Sequence, residues 1–392
     1  MKRIAVIGAG AAGCFCAAEL RRRRPAVKVD VYESGPKPLA KVAITGGGRC
    51  NLTNSFEGIR SLGEAYPRGE RLMKRLLRVF SQEDTWRWFE DAGVPLVLQD
   101  DHCVFPRSQD AMDIVHALLR RMEGVNLLLR TPVHSIGPDL TVDGEAYDAV
   151  VVTTGGAPKG LPLLEGLDLE WVPTAPSLFT FTIQDEGLRA LMGLVVEATV
   201  SIPGTTFKAD GPLLITDWGL SGPAVLKLSS YAARHLHDAG YKAPLSVNWL
   251  SLSEAETRAL LEELSTANPR KQVSNTPPAG LQARLWNYLT VKAGLRPDIR
   301  WAALGSKGLN KLVNTLAQDS YTIAGKTKFR DEFVTCGGVA LSNLNPATLE
   351  SKQYPGLYFA GEVVDIDAIT GGFNLQAAWT TGYVAAQSIA SK

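Results

Sequence analysis

Several things are missing from this 392-residue chain, and each absence removes a class of function. There is no CxxC pair, so a thioredoxin- or glutathione-reductase-type disulfide enzyme is excluded. The five cysteines (Cys14, Cys16, Cys50, Cys103, Cys336) are an odd, scattered set, which favours free thiols in a reducing, cytoplasmic compartment over a disulfide framework. His102, His116, His134, His235 and His237 show no metal-ligand spacing, and a helix turns the last two to opposite sides, so no metal is expected. No apolar run approaches bilayer length, so no membrane partner is expected. A second GxGxxG, an internal repeat and a low-complexity tract are all absent as well. The first of these makes a dedicated second dinucleotide site improbable on motif grounds.

What is present is ordinary globular material, 45% hydrophobic and 21% charged, long enough for two or three domains. The start, MKR followed by IAVIGAGAAGCFCAA, has the outline of a signal peptide. Glycine spacing and strand pattern account for the same residues better. Asn51-Leu52-Thr53 matches a glycosylation acceptor, which has no meaning in the cytoplasm.

Arg3 to Ile7 reads as a buried parallel strand, followed by Gly8-Ala-Gly10-Ala11-Ala12-Gly13 and a helix from Cys14 to Arg24 that Pro25 ends. A second strand, Val27 to Tyr32, finishes at Glu33, 20 residues after Gly13. Gly8 suits the tight turn, Gly10 lets a pyrophosphate reach the backbone, and Gly13 lets helix and strand pack closely. The carboxylate of Glu33 is placed to accept bonds from both ribose hydroxyls. Strand, turn, helix, strand and acid in this order indicate a dinucleotide site.

Further on, Arg68 to Glu90 has helical periodicity, as has Asp113 to Arg121, and Asn126 to Leu129 reads as a strand. Asp148 to Thr154 is another buried strand, and Gly155-Gly156 turns the chain back to the cofactor. Residues 177–183, 195–202, 211–216 and 245–250 suggest a β-rich unit. Within it a helix runs from Leu220-Ser-Gly-Pro223 to about Leu236. Ser253-Glu-Ala-Glu256 has capping-box spacing and opens a helical part that continues to about Gln318. Residues 267–330 hold eleven Lys and Arg against Asp298 and Asp319, a net +9 in a chain of net +1. That split points either to an anionic partner such as RNA or to a solvated surface. Trp286, Tyr288 and Trp301 lie among those cations, either as stacking platforms or as helix-packing residues.

Two further stretches carry chemistry. Ile44-Thr45-Gly46-Gly47-Gly48-Arg49-Cys50-Asn51 spends three glycines in a row, a loss of chain entropy unless backbone approaches something closely. Gly356-Leu-Tyr-Phe-Ala-Gly361-Glu362 is a strand ending in Gly-acid, and Thr370-Gly371-Gly372 leads into a helix, about Asn374 to Ala390. A helix N-terminus offers unpaired N–H groups and partial positive charge. Aimed at the N1–C2 carbonyl edge of a flavin, it stabilises the anionic reduced ring.

Taken together, these segments resemble the BaiN/YhiN-like FAD-dependent oxidoreductases, which include aminoacetone oxidase-like proteins. TTGG at 153–156 and TDWGLSGPAVLKLS from Thr216 add to the match. The resemblance implies an α/β fold: a glutathione-reductase-like FAD-binding Rossmann domain in two parts (1–165 and 331–392), with an inserted β-rich domain (166–250) and an inserted basic helical domain (251–330). It implies FAD contacts from Gly8, Gly10, Ala11, Ala12 and Gly13, from Glu33 and Ser34, and from Lys41. The loop would add Gly46, Gly47, Gly48, Arg49 and Asn51. Val133, Thr154, Gly155, Gly156, Gly361, Glu362, Gly371, Gly372, Phe373 and Asn374 complete the set. Thr45, Asp217 and Cys336 depart from the commoner Ser, His and Ala, and Asp217 puts any role at that position in doubt. Cys50 is either a proton donor near flavin N5 or a small packing residue, and the second is favoured.

The expected function is hydride transfer through flavin N5, reducing an electron-poor C=C of an unidentified substrate, with NAD(P)H as a transient electron donor. The alternatives are reduction of a uridine in ribosomal RNA, amine oxidation, or a non-catalytic flavin-bearing RNA-binding factor. Substrate, reaction direction and oligomeric state are not legible in the chain.

Overall fold

The first strand, β1 (Arg3–Ile7), is buried on both faces, as its unbroken apolar run requires. The computed structural model describes residues 3–156, 161–326 and 334–392. After β1 come α1 (Ala11–Arg23), β2 (Lys28–Tyr32), α2 (Ala40–Gly48), β3 (Thr53–Asn54), α3 (Leu62–Ala65), α4 (Glu70–Leu76) and α5 (Gln82–Asp91). Then follow β4 (Leu96–Leu98), β5 (Cys103–Pro106), α6 (Ala111–Arg121), β6 (Asn126–Leu128), the hairpin β7 (Thr141–Val142) and β8 (Glu145–Ala146), β9 (Ala149–Val152) and β10 (Trp171–Ser177).

One difference from the sequence pattern is local. The periodic stretch from Arg68 to Glu90 is two helices, because Ser81 caps α5 in a capping box with Asp84. The Ser-x-x-acid spacing that causes the break is visible in the sequence.

The chain forms two compact units, Met1–Pro176 with Val334–Lys392, and Ser177–Phe333. In the second unit a closed antiparallel barrel has the strand order β11 (Phe181–Ile183), β14 (Gly219–Ser221), β13 (Lys208–Ile215), β12 (Val195–Ser201), β15 (Ala243–Asn248), β16 (Asp319–Lys326). Around it lie α7 (Glu186–Arg189), α8 (Pro223–Tyr231), α9 (Ala233–Asp238), α10 (Glu254–Ala267), α11 (Ala283–Lys292) and α12 (Gly305–Ala317). Closure leaves the sheet without edges. Barrel residues such as Val200, Leu213 and Val247 share one apolar cluster with Leu261, Trp286, Trp301 and Leu312 of the helical part.

The first unit resumes with β17 (Val334–Val339), which pairs with β10, then β18 (Leu357–Phe359) and α13 (Phe373–Ala390). Its main sheet is parallel throughout in the order β18-β9-β1-β2-β6, with Ile7 beside Tyr32 and Val152, and Phe359 beside Val152. This is the α/β Rossmann architecture, with β18, from the end of the chain, placed next to β9. Helix α13 is buried along most of its length and lies against α1. A Cβ on Gly382 would stand 2.6 Å from the Ala12 carbonyl oxygen, so the two helices approach to backbone distance. Among the described residues no helix is long and apolar enough to cross a membrane.

Candidate functional site

The three fingerprint glycines do different work. Gly8 has φ +110°, and a Cβ there would stand 2.6 Å from the Thr153 carbonyl oxygen just past β9. A Cβ on Gly13 would run into the Gly8 carbonyl and come within 2.5 Å of Thr153 Oγ1. These two glycines let strand and helix pack. Gly10, the cap of α1, has ordinary backbone angles and nothing within 4 Å of its Cβ direction. It faces open space beside the first N–H groups of α1, which have no partner within the helix. Ala11 and Ala12 begin that helix.

Glu33, just past β2, is drawn to the same turn. Its carboxylate accepts from Ala9 N (3.0 Å) and Gly35 N (2.7 Å), with Ser34 Oγ at 3.4 Å. The backbone of Thr131 donates to the Glu33 carbonyl, and half-buried Val133 follows two residues later.

The triple glycine is a break in α2. Thr45 is extended, Gly46 (φ +58°), Gly47 (+69°) and Gly48 (+83°) are left-handed, and Cys50 (+58°) is left-handed again. A run of consecutive left-handed residues is costly for anything but glycine. Nothing lies within 4 Å of the Cβ directions of Gly47 and Gly48. Arg49 lies over the Phe105 ring at 4.6 Å and donates to the Gly46 carbonyl at 3.2 Å. Cys50 is buried, and burial pushes its thiol up to about 12. Cys14 and Cys16 are buried in α1.

The ends of β9 and β18 meet a third group. Glu362 accepts from Thr335 N (2.6 Å) and from the Gly156 backbone, with Lys41 Nζ at 3.9 Å. Burial raises its carboxyl above the ordinary glutamate range despite the lysine. Gly155 lies 3.8 Å from Glu362 in its Cβ direction, and that of Gly361 touches Ala12. Lys41, Thr154–Gly156, Gly361 and Glu362 are thus brought together.

At the N-terminus of α13, Gly371 and Gly372 have φ +123° and +89°. A Cβ on Gly372 would collide with the Thr53 carbonyl and stand 2.7 Å from Asn51 Oδ1. The side chains of Phe373 and Asn374 are engaged within the protein. Asn374 is bonded in both directions to the backbone of Ala368 (2.9 Å each), and Phe373 packs edge-on to Phe56 and Tyr66. What this end presents is backbone N–H.

Residues that motif reading missed hold this terminus. Asn54 Nδ2 donates to the Gly371 carbonyl (3.0 Å), Thr53 Oγ1 to Gln376 Oε1 (2.5 Å) and Tyr66 Oη to the Phe373 carbonyl (2.9 Å). Arg68 grips Asp367 through Nε and Nη2. Asn54 and Asp367 lie just outside the quoted motifs, and their partners are some 300 residues away.

In the second unit the basic segment divides into paired and unpaired cations. Lys292 is spent on buried Asp319 (2.7 Å), Arg284 donates to the Ala190 carbonyl, and Arg296 stands 3.8 Å from Asp298. Arg270, Lys271, Arg300, Lys307 and Lys311 are exposed, with no side-chain bond among the described residues. Lys328 and Arg330 lie outside the described residues. Trp286 and Trp301 are buried, their Nε1 atoms bonded to Val273 O and Thr276 Oγ1. They are core residues and cannot stack on bases. Among the described residues no three His, Cys, Asp or Glu gather to hold a metal.

The first unit fits FAD. Two buried polar atoms, Asn51 Oδ1 and Thr154 Oγ1, have no hydrogen-bond partner within the protein. A buried polar group left unbonded is costly. Asn51 follows the glycine loop that offers the bare faces of Gly47 and Gly48, and Thr154 follows the end of β9, beside the β1–α1 turn that carries Gly10.

Comparison with known proteins agrees. The family model described as HI0933-like protein Rossmann domain matches residues 2–388. A ribosomal RNA dihydrouridine synthase of Escherichia coli K12 is 31% identical, with 98% of this chain and 97% of that protein covered. One of the same name from Haemophilus influenzae is 28% identical, with 98% and 97% covered. A 3-dehydro-bile acid delta(4,6)-reductase of Clostridium scindens is 27% identical, with 100% of both covered.

Proposed function

Because this chain belongs to the HI0933-like Rossmann family, a family of FAD-dependent oxidoreductases, we propose that it reduces the C5=C6 bond of a uridine in ribosomal RNA. The observation that carries this reading is the end-to-end likeness to the Escherichia coli ribosomal RNA dihydrouridine synthase. The bond is conjugated to the C4 carbonyl, so it is an electron-poor C=C of the kind expected from the sequence.

FAD, when bound, supplies hydride transfer between its N5 and a substrate carbon. The rest of the task falls to the chain. Gly10 and the first N–H groups of α1 would take the pyrophosphate, with Ala11, Ala12 and Ser34 beside it. Glu33, held by Ala9 and Gly35, would accept from the adenosine ribose. Val133 would line that end. Lys41, Thr154, Gly155, Gly156, Gly361 and Glu362 would serve the ribityl chain, and Asn51 Oδ1 and Thr154 Oγ1 would gain the bonds they lack. The glycine loop with Arg49 would lie along the ring system. The N–H groups at the start of α13 would favour negative charge at the pyrimidine edge. Cys50, with its thiol held protonated by burial, is a packing residue in this scheme.

In this reading the FAD domain is split as expected, but its parts follow the first unit, Met1–Pro176 with Val334–Lys392, rather than the expected breaks at 165 and 331, and the β-rich and helical parts are inserted as the one unit Ser177–Phe333. The five unpaired cations of the basic segment support an RNA substrate. NAD(P)H would donate electrons transiently, in the cytoplasm. Deleting the gene tests the substrate. Nucleoside digests of the mutant's ribosomal RNA should lose dihydrouridine that the complemented strain regains, and an unchanged dihydrouridine content would refute it.

A further inference from the structure

Helix α4 has a face that its own folding does not explain. Arg71, Lys74 and Arg75 lie on it, and Arg78 lies on the turn that continues it. The spacing i, i+3, i+4, i+7 puts all four on one side. All four are exposed, while Leu72, Met73, Leu76 and Phe80 are buried opposite. None of the four cations has a side-chain hydrogen bond or ion pair among the described residues. Glu70, the nearest acid on the helix, is turned aside, with its carboxylate 3.0 Å from the Cβ direction of Gly63. Like charges at this spacing weaken a helix, so stability does not call for them.

The face is also anchored to the candidate site. Just before α4, Arg68 is locked on Asp367 by two bonds. A Cβ on Gly69 (φ +80°) would stand 2.7 Å from Ile366 Cγ1. Tyr66 donates to the carbonyl of Phe373, the first residue of α13. The cationic face therefore begins three residues beyond the pair that fixes the 361–372 segment, all within the first unit.

We propose that this face binds the sugar-phosphate backbone of the RNA substrate and brings the target uridine to the flavin end of the site. The inference rests on the RNA reading above and deepens it. At a rise of about 1.5 Å per residue the stripe is ~10 Å long, enough for about three phosphates of one strand. Uncompensated cations match a polyanion, and an uncharged enone would gain nothing from them. Sequence-specific RNA targets are mostly single-stranded loops, whose backbone a short convex ridge can follow.

The test compares two variants of the holoprotein with wild type. One is R71Q/K74Q/R75Q/R78Q, the other R270Q/K271Q/R300Q/K307Q in the second unit. Glutamine keeps helix propensity close to that of lysine and arginine. Flavin content and photoreduction confirm that each variant is intact. Fluorescence anisotropy with fluorescein-labelled polyuridylate, across a salt series, gives the slope of log K against log salt. Dihydrouridine formation in protein-free ribosomal RNA is measured alongside.

The α4 variant should lose about 0.7 of slope per phosphate contact removed, ~2 for about three phosphates, and lose dihydrouridine formation with it. If its slope and turnover equal wild type while wild type binds and reduces RNA, the ridge proposal fails and the RNA reading stands. If wild type neither binds polyuridylate in a salt-dependent way nor forms dihydrouridine, both fail.

Discussion

Alanine at Gly10 and alanine at Gly13, three residues apart in one turn, should fail in opposite ways. At Gly13 the new methyl would meet the Gly8 carbonyl and Thr153 Oγ1. Both belong to the β1–β9 frame, which cannot give way cheaply, so the cost is overpacking of at least ~1–3 kcal/mol in the apoprotein itself. At Gly10 the methyl meets no protein atom within 4 Å, and the backbone angles suit any residue. The apoprotein should be as stable as wild type, or more stable by about 0.4–1 kcal/mol, because the unfolded chain loses freedom. The methyl would instead stand where the pyrophosphate is proposed to lie. An overpacking cost of ~1–3 kcal/mol charged to binding alone weakens FAD by roughly 5- to 150-fold. Denaturant unfolding of flavin-free protein and fluorescence titration with FAD separate the two costs. G13A should show a lower unfolding midpoint, G10A an unchanged midpoint with weakened binding. Wild-type FAD affinity in G10A would refute the placement of the cofactor at this turn.

Three further outcomes follow from the same geometry. Thr154→Val removes a buried hydroxyl that has no partner, so the apoprotein should be as stable or up to ~1–3 kcal/mol more stable while FAD binds several-fold more weakly; a destabilised apoprotein with unchanged FAD affinity would contradict this. Cys50, with its thiol near 12, should alkylate on the order of a thousandfold more slowly at neutral pH than an ordinary thiol of pKa ~8.5, and Cys50→Ala should keep hydride transfer within about threefold. A loss of ~10²–10⁴ would instead assign it a proton-transfer role. Glu362 has a carboxyl raised in the folded state, so its contribution to stability is fully present below the unfolded pKa of about 4.3 and is lost as pH rises through the folded value. Apo E362Q, compared with wild type by urea unfolding, should therefore gain relative stability from pH ~4 toward neutrality, and a pH-independent difference would show that Glu362 titrates normally.

The fingerprint turn was legible because its physics is local. Three glycines, a strand on each side and an acid at the right distance need no information from elsewhere in the chain. The break at Ser81 is equally local, but apolar periodicity continues across it and hides it. Partnerships formed at long range were hidden. Lys292 looked like a free cation until β16 brought Asp319 to it, and Asn374 looked available until the loop before it folded back to Ala368. Trp286 and Trp301 lay among cations in sequence yet turn inward to the core that the barrel and helices share. The α4 face is masked in the sequence by the larger charge excess at 267–330. Only the structure shows which cations are unpaired and which lie on one side of a helix tied to the 361–372 segment.

In the proposed reaction, reduced holoprotein passes its electrons to a uridine of ribosomal RNA. Photoreduced protein mixed anaerobically with protein-free, unmodified ribosomal RNA tests it most directly, with flavin absorbance and nucleoside mass followed in one sample. The flavin should reoxidise, and one uridine per flavin should gain two hydrogens. Flavin that stays reduced in the presence of this RNA, yet reoxidises on adding a small conjugated ketone, would contradict it.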